Sequence, residues 1–225
     1  MTGAVTADGC PVEVYRRLPT FGEPELVSRL AGTGARILDL GAGCGRIADP
    51  LVGLGHAVVA VDNSAHMLAL VRRARPHLGE IAGLDLGERF AAVLLASHLV
   101  NVPSAAARRA FLETAARHLA PTGRLIIQWH PPSWFDRLTA GRSYPGTIGP
   151  FTSTLDVRAM DGDLFTAAVS YSDGEREWAQ EFTARRLTLD DVAAALAEVG
   201  LALEPPDDDR PDWLTADVRP GSAGP

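Results

Sequence analysis

Short apolar runs alternate with amphipathic stretches along the first 130 residues of the chain. The apolar runs have the length of buried strands and cover residues 36–40, 57–61, 91–96 and 123–129. The amphipathic stretches favour helices and cover residues 47–54, a segment opened by Ser64, and residues 105–119. Strands that are apolar on both faces and alternate with helices indicate a parallel sheet covered on both sides. We therefore predict an α/β fold with a doubly wound, mostly parallel sheet.

The second half of the chain has a different pattern. Residues 131–150 are rich in proline, glycine and aromatic residues and predict a long loop. An antiparallel β extension is predicted from alternating runs at residues 154–159, 164–172 and 177–187. A last helix and a last strand of the main sheet are predicted at residues 190–199 and 213–218.

A chain of 225 residues suits one domain with a modest extension. Within a single domain over residues 1–225, we expect a ligand-binding core at 12–130. A loop and antiparallel extension would follow at 131–187, and a final helix and strand at 188–219. The small, polar ends, residues 1–11 and 220–225, are expected to be flexible.

Charge and cysteine content exclude several classes of function. The formal net charge of −7 and a pI near 5.3 disfavour nucleic acid as a partner, because such binding needs clustered basic residues. Cys10 and Cys44 offer neither a metal spacing nor a disulfide framework, which favours a reducing cytoplasm and no metal. No apolar run is long enough to cross a bilayer, and the N-terminus does not resemble a secretory signal. We expect a soluble cytoplasmic protein without a membrane partner.

A glycine-rich turn follows the first predicted strand, with Gly41, Gly43 and Gly45 spaced as G-x-G-x-G. Backbone N–H groups in such a turn approach a ligand closely at the carboxyl edge of the sheet. Arg46 stands where the dinucleotide fingerprint has its third glycine, and Asp39 would repel a pyrophosphate beside the turn. These features favour a cationic, phosphate-free ligand such as S-adenosylmethionine. An NAD(P)-dependent oxidoreductase on a related sheet is the alternative.

Three motifs resemble those of the class I S-adenosylmethionine-dependent methyltransferases, and most closely the bacterial small-molecule and natural-product branch. They are ILDLGAGCGR at residues 37–46, VAVDNS at 59–64 followed by Met67, and HLAPTGRL at 118–125. The resemblance covers about residues 12–130. It implies a Rossmann-like sheet, S-adenosylmethionine as cofactor and S-adenosylhomocysteine as product.

The resemblance also assigns expected cofactor contacts. Asp39 would orient the ammonium group through water, Asp62 would hold the ribose, and Ser97 would lie near the sulfonium. The glycine turn would lie under the methionine part, and the remaining residues would border the adenine or close over the cofactor. The full expected set is Tyr15, Asp39, Gly41, Ala42, Gly43, Asp62, Asn63, Met67, Glu80, Ile81 and Ser97. The strand expected before Glu80 is degraded, which weakens the assignment of Glu80 and Ile81.

His98 and His130 follow two neighbouring predicted strands at the same sheet edge. A neutral imidazole there could act as a general base and remove a proton from an acceptor hydroxyl or amine. Packing or backbone hydrogen bonding explains either histidine equally well. The other histidines, His56, His66, His77 and His118, fall on predicted loops or helix surfaces, where we expect them to be solvated.

Further contacts to the methyl acceptor are expected from Asn101, Trp134 and Tyr144. A turn or helix-cap role is at least as compatible with Asn101. Tyr171 and Trp178 alternate as in a strand, so we expect them in the core of the antiparallel extension.

The sequence therefore predicts a methyltransferase of class EC 2.1.1.- that acts by in-line displacement in secondary metabolism. Its acceptor would be an O, N or C atom of a small molecule, and a modified peptide is also admissible. A protein that retains the cofactor without methylating is a further alternative. We expect a monomer or a homodimer.

Overall fold

Two β-sheets organise residues 4–219, the part of the chain described by the computed structural model. Numbered along the chain, the strands are β1 (Arg36–Leu40), β2 (Ala57–Asp62), β3 (Arg75–Leu78), β4 (Phe90–Leu95), β5 (Leu119–Gln128), β6 (Ser143–Ile148), β7 (Phe151–Asp161), β8 (Leu164–Ser172), β9 (Glu177–Arg185), β10 (Leu201–Leu203) and β11 (Trp213–Val218). The seven-stranded sheet has the order β10-β11-β5-β4-β1-β2-β3, and the four-stranded sheet has the order β6-β7-β8-β9.

Strands β1 to β5 are parallel, while β11 runs antiparallel to β5. The helices are α1 (Val12–Arg17), α2 (Glu23–Ala31), α3 (Ala48–Gly53), α4 (Ala65–Leu68), α5 (Ala105–His118), α6 (Pro132–Phe135) and α7 (Leu189–Glu198), and a 3-10 turn spans Leu99–Asn101. As predicted, Ser64 opens α4, because its hydroxyl accepts a hydrogen bond from the Met67 amide at 3.3 Å.

The large sheet buries both of its faces. Leu38 and Leu40 of β1 pack on the side that carries α5 and α7, and Ile37, which precedes Leu38 in the strand, packs with α2 and α3. This alternation is the two-residue period of a strand with helices on both faces. The predicted doubly wound α/β fold with an antiparallel extension is confirmed.

The predicted loop at residues 131–150 is wrong in part, because it contains helix α6 and strand β6. The single turn of α6 is anchored by Phe135, which is 1% exposed. Strand β6 carries Pro145 and Gly146, which argue against a strand in sequence. It tolerates them because it is an edge strand that pairs only with β7.

The N-terminal segment is also more ordered than predicted. The Thr6 hydroxyl accepts a hydrogen bond from the Cys10 amide at 2.8 Å, and the Thr6 amide donates to the Cys10 carbonyl at 3.0 Å. Residues 4–11 thus form a closed turn rather than a loose tail. The flexibility predicted for residues 1–3 and 220–225 concerns positions outside the described residues.

Two histidines predicted to be solvated are buried. Nε2 of His118 accepts a hydrogen bond from the Leu86 amide at 3.0 Å, so Nδ1 carries the proton and donates to the Thr114 carbonyl at 2.8 Å. His56 accepts from the Ala35 amide at 3.1 Å and bonds to Ser28 Oγ at 2.7 Å. Each ring accepts a hydrogen bond from a backbone amide that is distant in sequence, a role that the local sequence does not indicate.

No helix among residues 4–219 combines the length and the apolar character needed to span a bilayer.

Replacing His118 with leucine is expected to lower the free energy of unfolding by about 1–3 kcal/mol, because the partly buried Leu86 amide loses its acceptor. Denaturant unfolding measures the change. His66→Leu is the matched control, since His66 is exposed. Equal effects of the two substitutions would contradict the structural role of His118.

Candidate active site

A cavity of about 400 Å³ lies at the carboxyl ends of β1, β2 and β4. Every residue that the sequence assigned to the cofactor lines it, namely Tyr15, Asp39, Gly41, Ala42, Gly43, Asp62, Asn63, Met67, Glu80, Ile81 and Ser97. Its volume falls in the range of small-molecule sites, roughly 300–1,000 Å³. We call it the first cavity.

The glycine turn is tied to the neighbouring strand. The amides of Gly41 and Ala42 both donate to the Val61 carbonyl, at 2.9 and 2.8 Å. Gly41 has a φ of +75°, and a Cβ built on it would lie 2.5 Å from Leu99 Cδ1 and 3.7 Å from Ile81 Cδ1. Leu99 and Ile81 line the first cavity, so the missing side chain of Gly41 keeps space open there.

Asp62 braces the same turn. Its Oδ2 accepts from the Gly43 amide and its Oδ1 from the Ser64 amide, each at 2.8 Å. Each carboxylate oxygen retains a second acceptor position. The side chain is therefore held in one orientation and can still accept hydrogen bonds from a ligand.

The strand that looked degraded in sequence is present as β3. It pairs in parallel with β2, with Leu78 opposite Asp62, and the Gly79 amide donates to the Asp62 carbonyl at 3.0 Å. This register brings Glu80 to Asn63, whose side-chain amide donates to the two Glu80 oxygens at 3.2 and 3.3 Å. Tertiary pairing thus places Glu80 in the first cavity despite the weak local pattern.

Asp39 is the principal electrostatic feature of the first cavity. It is 2% exposed, and its carboxyl group accepts no hydrogen bond from the described residues. Burial raises the pKa of Asp39 to about 7, Arg46 opposes this shift and Asp62 adds to it. The Arg46 guanidinium is held by Glu23 at 2.6 Å, so Asp39 lacks a direct partner. A cationic group in the cavity would supply one.

Tyr15 connects the first cavity to the second sheet. Its hydroxyl accepts a hydrogen bond from Gln180 Nε2 of β9 at 3.2 Å, and Cys10 Sγ lies 3.7 Å away. Burial raises the pKa of Tyr15 well above its usual range, so the phenol is protonated. The sequence did not indicate the neighbouring wall formed by the N-terminal turn, which contributes Thr6, Asp8 and Cys10.

A second, more open cavity of about 790 Å³ is lined by His98, His130 and Trp134. Their rings form a continuous stack. The centroids of His98 and His130 are 3.5 Å apart, and those of His130 and Trp134 are 3.8 Å apart. Gln128 and Asp212 line the same cavity, although the sequence gave no signal for either.

Both histidine rings are held neutral by burial. Burial lowers the pKa of His98 to about 4, and burial together with the repulsion that a protonated His98 would exert lowers the pKa of His130 to about 2. Both faces of the His130 ring are covered by stacking. Nδ1 of His98 is buried and has no hydrogen-bond partner among residues 4–219. The rings are neutral and form a wall, and a general-base role for either of them stays a prediction.

Asn101 and Tyr144 also lie elsewhere than predicted. The Asn101 side chain is 1% exposed and forms hydrogen bonds with backbone groups of His130 and Arg185. It is therefore not directed at a methyl acceptor in either cavity. Tyr144 lines neither of these cavities: it packs with Phe135, and its hydroxyl accepts from the Thr139 amide at 2.9 Å. The turns of the chain that bring β6 and β9 to these positions cannot be predicted from a local sequence pattern.

Tyr171 and Trp178 pack with Phe151 and Val14 in a small core beneath the second sheet, as predicted. Among residues 4–219, no group of three or more His, Cys, Asp or Glu side chains is arranged to hold a metal ion.

Comparison with known proteins agrees with this geometry. A family model described as a methyltransferase domain matches residues 37–123. A dTDP-3-amino-3,6-dideoxy-alpha-D-glucopyranose N,N-dimethyltransferase from Streptomyces fradiae is 28% identical over 193 residues, which cover 80% of this chain and 74% of that enzyme. An uncharacterised methyltransferase from Mycobacterium tuberculosis is 37% identical over 128 residues, which cover 54% of this chain and 51% of its own length.

Among solved structures, an amino pentose methyltransferase from Micromonospora echinaspora, involved in calicheamicin biosynthesis and solved with S-adenosylmethionine bound, has the same fold. Its TM-score is 0.71 at 24% identity, and the match covers 91% of this chain and 94% of that chain. The family match and the residues of the first cavity identify the protein as an S-adenosylmethionine-dependent methyltransferase. Its cofactor is S-adenosylmethionine.

Replacing Gly41 with alanine is expected to weaken binding of S-adenosylhomocysteine by about tenfold, because the added Cβ competes for space with Leu99 and Ile81. Isothermal titration calorimetry measures the affinity. Gly55→Ala is the matched control, since Gly55 has a φ of +94° and open space around it. It carries the same backbone strain, about 1–2 kcal/mol, without the contact. Equal affinities of the two variants would contradict the role of Gly41.

Proposed function

We propose that the enzyme methylates the amine nitrogen of a small molecule, with an amino sugar as the acceptor class. The observation that carries this proposal is the pair of adjoining cavities. The first presents the unpartnered carboxyl group of Asp39, and the second presents a neutral aromatic wall. The Streptomyces relative acts on an amino sugar, and the Micromonospora enzyme is an amino pentose methyltransferase, which supports the same acceptor class.

The residues of the first cavity fit the cofactor. Asp39 offers a buried, unpaired acid to a cation, Asp62 offers fixed acceptor positions to hydroxyl groups, and Gly41 leaves the space that a side chain would fill. The proposed contacts are those that line the cavity, from Tyr15 to Ser97. When bound, the cofactor supplies a methyl group activated by a sulfonium.

The residues of the second cavity act by positioning the amine rather than by accepting its proton. The neutral rings of His98 and His130 bring no charge of their own to this wall, and the reactive species there is the uncharged amine, whose lone pair is the nucleophile. Asp212 lies on the same cavity, and its charge acts on His98. Its carboxylate is 3.7 Å from Arg210 Nε, a loose pairing that leaves it able to accept a hydrogen bond from the amine.

The backbone of Asp212 is well fixed. Its carbonyl accepts from the Trp129 amide at 3.0 Å, and the Trp129 indole donates to the Pro211 carbonyl at 2.8 Å. Proximity and orientation can therefore supply most of the catalysis. Protons released from the amine can leave through the open second cavity.

The proposal retains the division of the chain into a cofactor core at residues 12–130, an acceptor module at 131–187 and a final part at 188–219. It describes a cytoplasmic enzyme that is a monomer or a homodimer. Cys10 and Cys44 are both free thiols, which is compatible with a reducing compartment.

The affinity for S-adenosylhomocysteine is expected to fall about tenfold between pH 8 and pH 6. The ionised form of Asp39 binds the ammonium group, and its population falls as the pH drops through the pKa of about 7. Asp39→Asn is expected to bind more weakly and without this pH dependence. Calorimetric titrations at several pH values measure both effects. Asp161→Asn, at an exposed acid, is the control. A pH-dependent Asp39→Asn variant would contradict the assignment.

Turnover of nucleotide-linked amino sugars and of their hydroxyl analogues tests the proposed acceptor. We expect S-adenosylhomocysteine to form with amino sugars only, and Asp212→Asn to lower kcat/KM by about tenfold through loss of one charge-assisted hydrogen bond. Mass spectrometry of the products locates the methyl group. Methylation of the hydroxyl analogues alone would contradict the amine assignment. If the protein bound NAD(P) and did not bind S-adenosylhomocysteine, the assignment of the cofactor would be contradicted.

A further inference from the structure

Ser97 and His98 form the boundary between the two cavities. Ser97 lines the first cavity and His98 lines the second, so adjacent residues face different ligands. Their φ angles are +53° and +60°, and among residues 4–219 they are the only non-glycine residues in the left-handed region. Such a conformation is unfavourable for residues with a Cβ and persists only where the surroundings impose it.

Two contacts impose this conformation. The Ser97 amide donates to Oε1 of Gln128 at 3.0 Å, and the His98 ring stacks on His130. Gln128 is the last residue of β5, where its backbone is paired with Trp213 of β11. The Gln128 side chain lines the second cavity. From there it holds the Ser97 backbone, which lies between the two cavities.

We propose that Gln128 is a positioning residue that fixes Ser97 for the cofactor, although Gln128 itself lines the acceptor cavity. This inference rests on the proposed function of the two cavities. Its consequence is that changing a residue on the acceptor side alters cofactor affinity through one backbone hydrogen bond. The length of the side chain matters as well as its polarity, because the acceptor oxygen has to reach the Ser97 amide.

Three variants separate reach from polarity. Gln128→Glu keeps the length and an acceptor oxygen, Gln128→Asn keeps the amide but shortens the side chain, and Gln128→Leu keeps comparable bulk without an acceptor. Arg124→Leu is the control on the same strand, because Arg124 pairs with Asp217 outside both cavities. Calorimetric titration with S-adenosylhomocysteine gives the affinity, and thermal melting by circular dichroism shows that each variant is folded at the titration temperature.

We expect Gln128→Leu and Gln128→Asn to weaken S-adenosylhomocysteine binding roughly 3- to 10-fold, the effect of one hydrogen bond. Gln128→Glu and Arg124→Leu are expected to stay within about twofold of the unchanged protein, since neither loses that bond. The ring resonances of His98 in NMR spectra are expected to move in the leucine and asparagine variants and to stay in place in the glutamate variant. A general loss of stability would not produce this pattern.

The proposal is overturned if Gln128→Leu or Gln128→Asn binds S-adenosylhomocysteine as the unchanged protein does. It is equally overturned if Gln128→Glu is as weak as Gln128→Leu. Failure of the unchanged protein to bind S-adenosylhomocysteine would instead contradict the proposed function on which the inference rests.

Discussion

The buried amide of Asn101 joins the two sheets close to the carboxyl ends of β4, β5 and β9. Its Oδ1 accepts from the His130 amide at 2.8 Å, and its Nδ2 donates to the carbonyls of His130 and Arg185 at 3.2 and 3.0 Å. One side chain therefore connects the segment after β4, the segment after β5 and the end of β9. Without it, three partly buried backbone groups of His130 and Arg185 would lose these partners, at a cost of about 1–3 kcal/mol each. The histidine wall depends on this junction.

The two cavities differ in electrostatic character, and the difference explains how they share one reaction. The first concentrates negative charge at Asp39, where burial favours protonation until a cation arrives. The second is walled by rings whose depressed pKa values keep them neutral. A cationic cofactor and an uncharged nucleophile are thus preferred on opposite sides of Ser97 and His98. That short segment stores backbone strain, as segments at functional sites commonly do.

The cofactor side could be predicted from sequence because its residues follow strand ends within short motifs. Asp39, the glycine turn and Asp62 are separated by few residues from strands whose apolar pattern is clear, and all of them line the first cavity. Their individual roles stay predictions. Thr6 and Asp8 were missed because they reach the cavity through a turn closed by the pairing of Val5 with Pro11, which no local pattern indicates.

The acceptor side could be predicted only in outline. His98, His130 and Trp134 were found because they lie near strand ends, but their stacking, which changes what the rings can do, depends on α6 and Asn101. Gln128 looked like an ordinary strand residue, and Asp212 lay in a polar segment without a motif. Tyr144 was misplaced because β6 was read as a loop, and its ring belongs to the core beneath α6.

An experimental structure of the complex with S-adenosylhomocysteine tests the central claim most directly. We expect the sulfur within about 4 Å of Ser97, facing the wall formed by His98, with the amino group beside Asp39 and the ribose at Asp62. A ligand bound in the reverse orientation, with its amino group at Glu80 and its sulfur away from Ser97, would contradict it.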